Sequence, residues 1–210
     1  MHVTAEDIVS MEQRYRAHFV NSLSGFKSAN LVGSVDNAGN NNLAIISSVF
    51  HLGANPPLIG MIIRPHTAPR GTFENILASG FYTINHVNAD IFEKAHQTSA
   101  RYRESVSEFR EVGLTPESSK RHPAPYVQES RLKIGVFFCE HKTIELNGTN
   151  LIIGEIVEVL VDDSVVKEDG FIDIESLDTV AVSGLDRYHQ TKALARLSYA
   201  KPHRNPERVD

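Results

Sequence analysis

The chain has 210 residues, 41% hydrophobic and 22% charged, with a net charge of −5; that is enough to bury a sizeable core, and the acidic balance without a long basic run argues against a nucleic-acid partner. A single cysteine, Cys139, rules out an intrachain disulfide framework. No apolar run approaches the roughly 18 residues of a membrane span and no basic-then-apolar signal opens the chain, so the expected location is cytoplasmic.

The first element is a helix over 4–20. Thr4 caps it, Asp7 completes a capping box, and Ile8, Met11, Tyr15 and Phe19 form one apolar stripe at helical spacing; Gly25 ends the segment. A strand over 30–35 follows, then a turn from Asp36 to Asn40 in residues that tolerate unusual backbone angles. Leu43 to Phe50 reads as the next strand, with Ser47 and Ser48 as polar residues inside an apolar run. Pro56-Pro57 interrupts pairing before a strand over 58–63. Thr72 to Ser79 reads as a short helix closed by Gly80, and Phe81 to Val87 as a strand. Ala89 to Arg103 has helical composition, and Glu104 to Gln128, rich in serine, proline and charge, reads as a surface excursion. Leu132–Leu146 and Leu151–Val161 flank Asn147-Gly148, the strongest short hairpin signal. The Asn147-Gly148-Thr149 sequon is read as part of that turn. Val180 to Val182 is a last short strand, and the tail beyond Ser198 is extended. There is no repeat and no linker, so the expectation is one domain over 1–210: the helix over 4–20, a barrel over about 29–183 and a tail over 184–210. Tight turns between five or more strands predict a mainly β, closed barrel with short flanking helices.

Known nucleotide and hydrolase motifs are missing. No G-x-G-x-x-G, Walker loop or G-x-S-x-G elbow is present. Cys139 and His141 fall on one strand face by alternation and have no further ligand cluster nearby, so no metal site is assigned and Cys139 reads as a partly buried structural thiol. Arg64, His66 and Arg70 share one loop before Thr72, which caps a helix with Asn75 three residues on. Helix-terminal N–H groups and adjacent arginines suit a phosphate, although the same residues also fit a solvated loop and an ordinary cap. Ser47-Ser48 turns at least one hydroxyl towards the barrel or a cleft, where it needs either a ligand or neighbouring backbone as partner. Asn85-His86 places polar groups at the end of a strand in the same way.

The runs NLAIISSVFHLGANPPLIGMIIRP and TFENILASGFYTINHV resemble the core of the flavin-reductase-like family of flavin-mononucleotide (FMN)-binding split β-barrels, which includes the flavoredoxins. KAHQTSARYRESVSEFREVGLT and SGLDRYHQTKALARLSYAKP extend the resemblance over most of the chain. It implies a split barrel, a homodimer and FMN held near the subunit interface. Residue by residue, it implies that Ser47, Ser48 and Val49 line the flavin ring, that Arg64, Thr72, Asn75 and Arg70 hold the phosphate, and that Asn85 and His86 lie beside the ring or ribityl chain. Tyr188 either covers the flavin or packs on other aromatics. Gly71 stands where many members carry a basic residue or histidine. The implied activity is that of an NAD(P)H-dependent flavin reductase, with the nicotinamide bound transiently and no catalytic side chain assigned. Two alternatives stay open: an FMN-binding electron carrier without efficient nicotinamide activity, and a non-enzymatic dimeric barrel module.

Overall fold

The hairpin announced by Asn147-Gly148 organises the molecule, a computed structural model that describes residues 1–65, 71–103 and 106–209. In chain order the helices are α1 (Ala5–Ser10), α2 (Gln13–Leu23), α3 (Gly71–Ser79), α4 (Phe92–Gln97) and α5 (Glu108–Val112). The strands are β1 (Lys27–Ser28), β2 (Asn30–Val35), β3 (Asn41–Ile46), β4 (Val49–Ala54), β5 (Pro57–Ile63), β6 (Phe81–His86), β7 (Pro116–Glu117), β8 (Tyr126–Val127), β9 (Leu132–Ile144), β10 (Thr149–Val161), β11 (Val180–Ser183) and β12 (Arg187–Gln190). Seven strands form one antiparallel sheet in the order β3-β2-β6-β9-β10-β5-β4.

The sheet curls because its two halves attach to opposite ends of the long hairpin. β6 pairs with β9 through Lys133–Phe137, near the hairpin base, whereas β5 pairs with β10 through Asn150–Glu155, near its tip. That offset is the shear a barrel requires. Two register shifts add twist: Cys139 in β9 and Val157 in β10 each lack a cross-strand partner. Ser28 Oγ donates to Val49 O at 3.2 Å and ties β1 to β4 across the split. The result is the mainly β split barrel expected from the sequence.

One apolar cluster fills the barrel, with Val32, Met61, Ile84, Val136 and Ile152 at its centre and Ile76 of α3 packed on it. A second lies on the other side of β2, where Leu31, Leu43 and Val87 meet Ala95, Phe109 and Val182. Successive β2 residues therefore bury on both faces. β3 is an edge strand, but two of its outward amides are occupied: Leu43 N donates to Glu108 Oε2 at 3.1 Å and Ile45 N to Thr98 Oγ1 at 2.9 Å.

Several boundaries differ from expectation. The helix over 4–20 is two helices, because the Glu12 carboxylate accepts from Arg14 N and Tyr15 N and starts α2 afresh. The Thr4–Asp7 capping box is present. The strand expected over 43–50 breaks at Ser47-Ser48, since β3 pairs with β2 while β4 pairs with β5. The helix expected over 89–103 is confined to α4, as Thr98 turns its hydroxyl onto β3. The excursion over 104–128 is no mere surface loop: it buries Phe109, Leu114, Ala124 and Tyr126. Gly33 permits that docking, because a Cβ there would lie 2.2 Å from Pro125 O. The tail contains β12 and folds back through bridges Leu197–Arg208 and Lys201–Arg204 instead of running extended.

Candidate functional site

Helix α3 sits on the β2–β3 hairpin, and a polar cluster fastens it there. Asn42 Nδ2 donates to Thr72 Oγ1 at 2.8 Å and to Ser34 Oγ at 3.2 Å, and Asn75 Nδ2 donates to the same Ser34 Oγ at 3.2 Å. Ser34, Thr72 and Asn75 are all buried. Thr72 therefore lies inside α3, which begins at Gly71, and its hydroxyl accepts from a strand instead of standing as the residue that precedes the helix. Gly71 is needed in this arrangement. A Cβ on it would lie 2.7 Å from Asn42 Oδ1, so the asparagine fills the space a larger residue would take. Asn42 is the site residue that sequence reasoning missed; its signal was the run Asn40-Asn41-Asn42 opening an otherwise apolar strand.

Arg64 follows β5 on the connection into α3, exposed and without an ion pair or hydrogen bond among the described residues. Arg70 and His66 lie outside those residues. Ser47 and Ser48 form the bend between β3 and β4. Ser48 Oγ donates to Ile62 O at 2.7 Å, and Ser48 O accepts from Ile62 N at 3.1 Å. The Ser48 hydroxyl thus has a backbone partner on β5, next to the residue pair that leads to Arg64.

Val49 and His86 meet at a different place. They line a cavity of about 210 Å³ at the barrel mouth, with Ile59, Ile84 and Ile134 among its walls. His86 Nδ1 is buried and has no hydrogen-bond partner. Burial lowers its pKa to about 4, so the ring is neutral near pH 7.

Asn85 does not belong with these groups. Its Nδ2 donates to Leu31 O at 3.0 Å and to Thr83 Oγ1 at 2.9 Å, and its Oδ1 accepts from Val127 N at 3.0 Å. It is fully buried and brackets β2, β6 and β8 together. Tyr188 packs on Phe92 with ring centroids 5.4 Å apart, and its hydroxyl lies 3.0 Å from His96 Nδ1, so aromatic packing accounts for it. Cys139 is exposed at the β9 bulge, not partly buried as expected. His141 Nε2 lies 2.8 Å from Asn150 Oδ1, and its ring meets Phe73 of α3 edge-on at 5.1 Å. Among the described residues no three histidine, cysteine or acidic side chains gather into a metal site, and no helix is long and apolar enough to cross a membrane.

Three comparisons bear on this arrangement. A split-barrel-domain protein of Shewanella frigidimarina NCIMB 400, described as a flavin reductase, is 61% identical; the match covers 95% of this chain and 100% of that one, with a TM-score of 0.92. The flavoredoxin of Desulfovibrio vulgaris (Miyazaki F) is 26% identical over 85% of this chain and 92% of its own, with a TM-score of 0.69. An uncharacterized protein of Aquifex aeolicus is 28% identical over 140 residues, 65% of this chain and 70% of its own length. The description "Flavin reductase like domain" matches residues 23–177, from the end of α2 to just short of β11. These matches support a flavin-related oxidoreductase function, and with the split barrel they establish that the chain belongs to the flavin reductase like domain family.

Proposed function

We propose that the protein binds FMN and uses NAD(P)H to reduce it, passing the electrons to a further acceptor. The observation that carries this reading is the α3 start. Thr72 and Asn75 are drawn into one buried cluster on β2–β3, and Arg64, on the connection that leads there, has no ion pair or hydrogen bond among the described residues. A helix start offers N–H groups and partial positive charge to a phosphate. Arg64 adds a charge-assisted donor. One phosphate fits this short element, hence FMN in place of a dinucleotide.

Bound flavin would supply the hydride-accepting ring. The chain's own contribution is placement. Ser47, Ser48 and Val49 offer backbone groups at the bend for the ring edge. The Asn42–Thr72 bond fixes the helix start relative to that bend. Hydride transfer needs no proton donor at the reacting atoms, and orientation alone is a large catalytic resource. Extraction of the cofactor followed by mass analysis tests the reading, with FMN as the expected product. Anaerobic addition of NADH or NADPH is then expected to bleach the flavin absorbance. Recovery of the dinucleotide alone sinks the FMN assignment, and a yellow protein that neither nucleotide bleaches is an electron carrier.

We also propose a homodimer. Neither α1 nor α2 buries a single residue in its own chain. Tyr15 of the predicted stripe is 56% exposed, and Leu23 and Phe26 beyond it are 66% and 68% exposed. A second copy would cover this surface. Light scattering at micromolar concentration is expected to give twice the chain mass of 23.3 kDa; a monomer there rejects the dimer.

A further inference from the structure

The match to the flavin reductase like domain runs from residue 23 to residue 177 and leaves both ends of the chain outside it. At the C-terminus, the chain beyond β12 is pinned at its root. Ala193 N donates to Glu175 Oε2 at 2.7 Å, and Arg196 pairs with Asp169 at 2.5 Å and lies over the Phe171 ring. From that root the chain folds on itself through the Leu197–Arg208 and Lys201–Arg204 bridges. The arm so formed buries none of its described residues, and Leu194 is 92% exposed and Tyr199 90%. It is also basic: Lys192, Arg196, Lys201, Arg204 and Arg208 stand against Glu207 over residues 191–209.

The N-terminal end has the complementary character. α1 carries Glu6 and Asp7 in its first turn and no basic residue in its last. Beside them lies an open hollow of about 370 Å³ lined by Ala5, Glu6, Val9 and Ser10, with Val9 74% exposed. An acidic ledge with an apolar floor suits a basic arm with apolar side chains. Yet arm and ledge do not cover one another within one chain, since both are exposed there. A second copy offers each surface the other. Two-fold symmetry makes the exchange reciprocal, because one such contact implies its mate.

We propose that the C-terminal arm of one copy crosses to the other and lies along its α1, with Tyr199 at the hollow beside Val9 and the arm's cations facing Glu6 and Asp7. This rests on the homodimer proposed above and names what covers its N-terminal surface. Tyr199 and Leu194 supply the attraction, an aromatic ring with a polar tip being suited to a half-open hollow. The charges contribute little strength, as exposed pairs do, but they set the direction in which the arm lies. Both partners in the contact, residues 5–10 and 191–209, fall outside the matched domain.

The chain contains no tryptophan, so Tyr199→Trp in the full chain makes the arm the sole source of indole emission. That emission is expected to lie to the blue of free tryptophan where light scattering gives twice the chain mass, and to move red on dilution to the monomer. Val9→Lys in the same background sets a cation against the arm and is expected to return the emission to the free-tryptophan position. Excess wild type, itself without tryptophan, is then expected to restore the blue shift, because the intact copy still receives the variant's arm. Both substituted side chains are largely exposed, so the fold tolerates the changes. A dimer whose indole emits as in water overturns the arm contact and leaves the homodimer standing; a monomer at every concentration removes both. Blue emission that survives Val9→Lys, or a double variant that wild type fails to rescue, places the arm on another surface and overturns the proposal as well.

Discussion

Replacing Arg64 by alanine is expected to weaken FMN binding by about 1.5–3 kcal/mol, the range for hydrogen bonds to charged groups, or roughly 10- to 150-fold in Kd. The guanidinium is exposed and free of any competing carboxylate among the described residues, so the folded apoprotein loses little by the change. The loss should appear in affinity and leave thermal stability of the apoprotein near wild type. It should also shrink as salt rises, because an exposed ionic contact is screened. Thr72→Ala is a useful companion. Its hydroxyl accepts from Asn42 inside the fold, so its removal is expected to cost about 1 kcal/mol of stability whether or not flavin is present. Wild-type affinity in Arg64→Ala across a salt series moves the phosphate site elsewhere, with Arg70 as the next residue to change.

The second large effect concerns acid. Burial lowers the His86 pKa from 6.5 to about 4. Above pH 6.5 the ring is neutral in both folded and unfolded chains and adds no pH dependence. As the pH falls below 6.5 the unfolded chain gains a proton that the folded chain refuses, so stability declines. The decline levels off near pH 4, after a total of about 3 kcal/mol at one pKa unit per 1.36 kcal/mol. Urea unfolding of wild type and His86→Gln at pH 7 and pH 4.5 isolates this contribution from that of the other titrating groups. The wild type is expected to lose about 2–3 kcal/mol more than the variant over that interval. Parallel losses in the two proteins place the His86 ring in water, contrary to its burial here.

How far the residues alone led depends on the range over which each signal acts. β2 was legible to its ends, and so was the stop of α3 at Gly80, because both are set by local pattern and local backbone freedom. The Asn147-Gly148 turn predicted the longest hairpin in the sheet for the same reason. The break at Ser47-Ser48 was invisible: β-forming residues lie on both sides, and only the choice of distant partners, β2 for one half and β5 for the other, divides the run.

The site shows the same division. Arg64, Thr72 and Asn75 share one stretch of sequence, and the fold keeps Thr72 and Asn75 in one cluster. Asn42 joins them from 30 residues away, and the asparagine run that opens β3 marks a polar strand entry without saying which distant side chain it meets. Asn85 shows the ambiguity of such signals, because a polar residue at a strand end looks alike in sequence whether it faces a ligand or the backbone of its neighbours. Here the excursion over 104–128 supplies Val127 N and turns it inward. His86, one residue on, escapes that fate because alternation turns it the other way.

The occupied amides of β3 carry a last consequence. An open edge is where a foreign strand attaches and where ordered aggregates begin to grow. At β3 the donors of Leu43 and Ile45 are already spent on Glu108 and Thr98, so an incoming strand must first dislodge both side chains. Growth of the sheet from that side is opposed by two side-chain caps, and the protein's resistance to polymerising through this edge depends on a glutamate of α5 and a threonine just past α4.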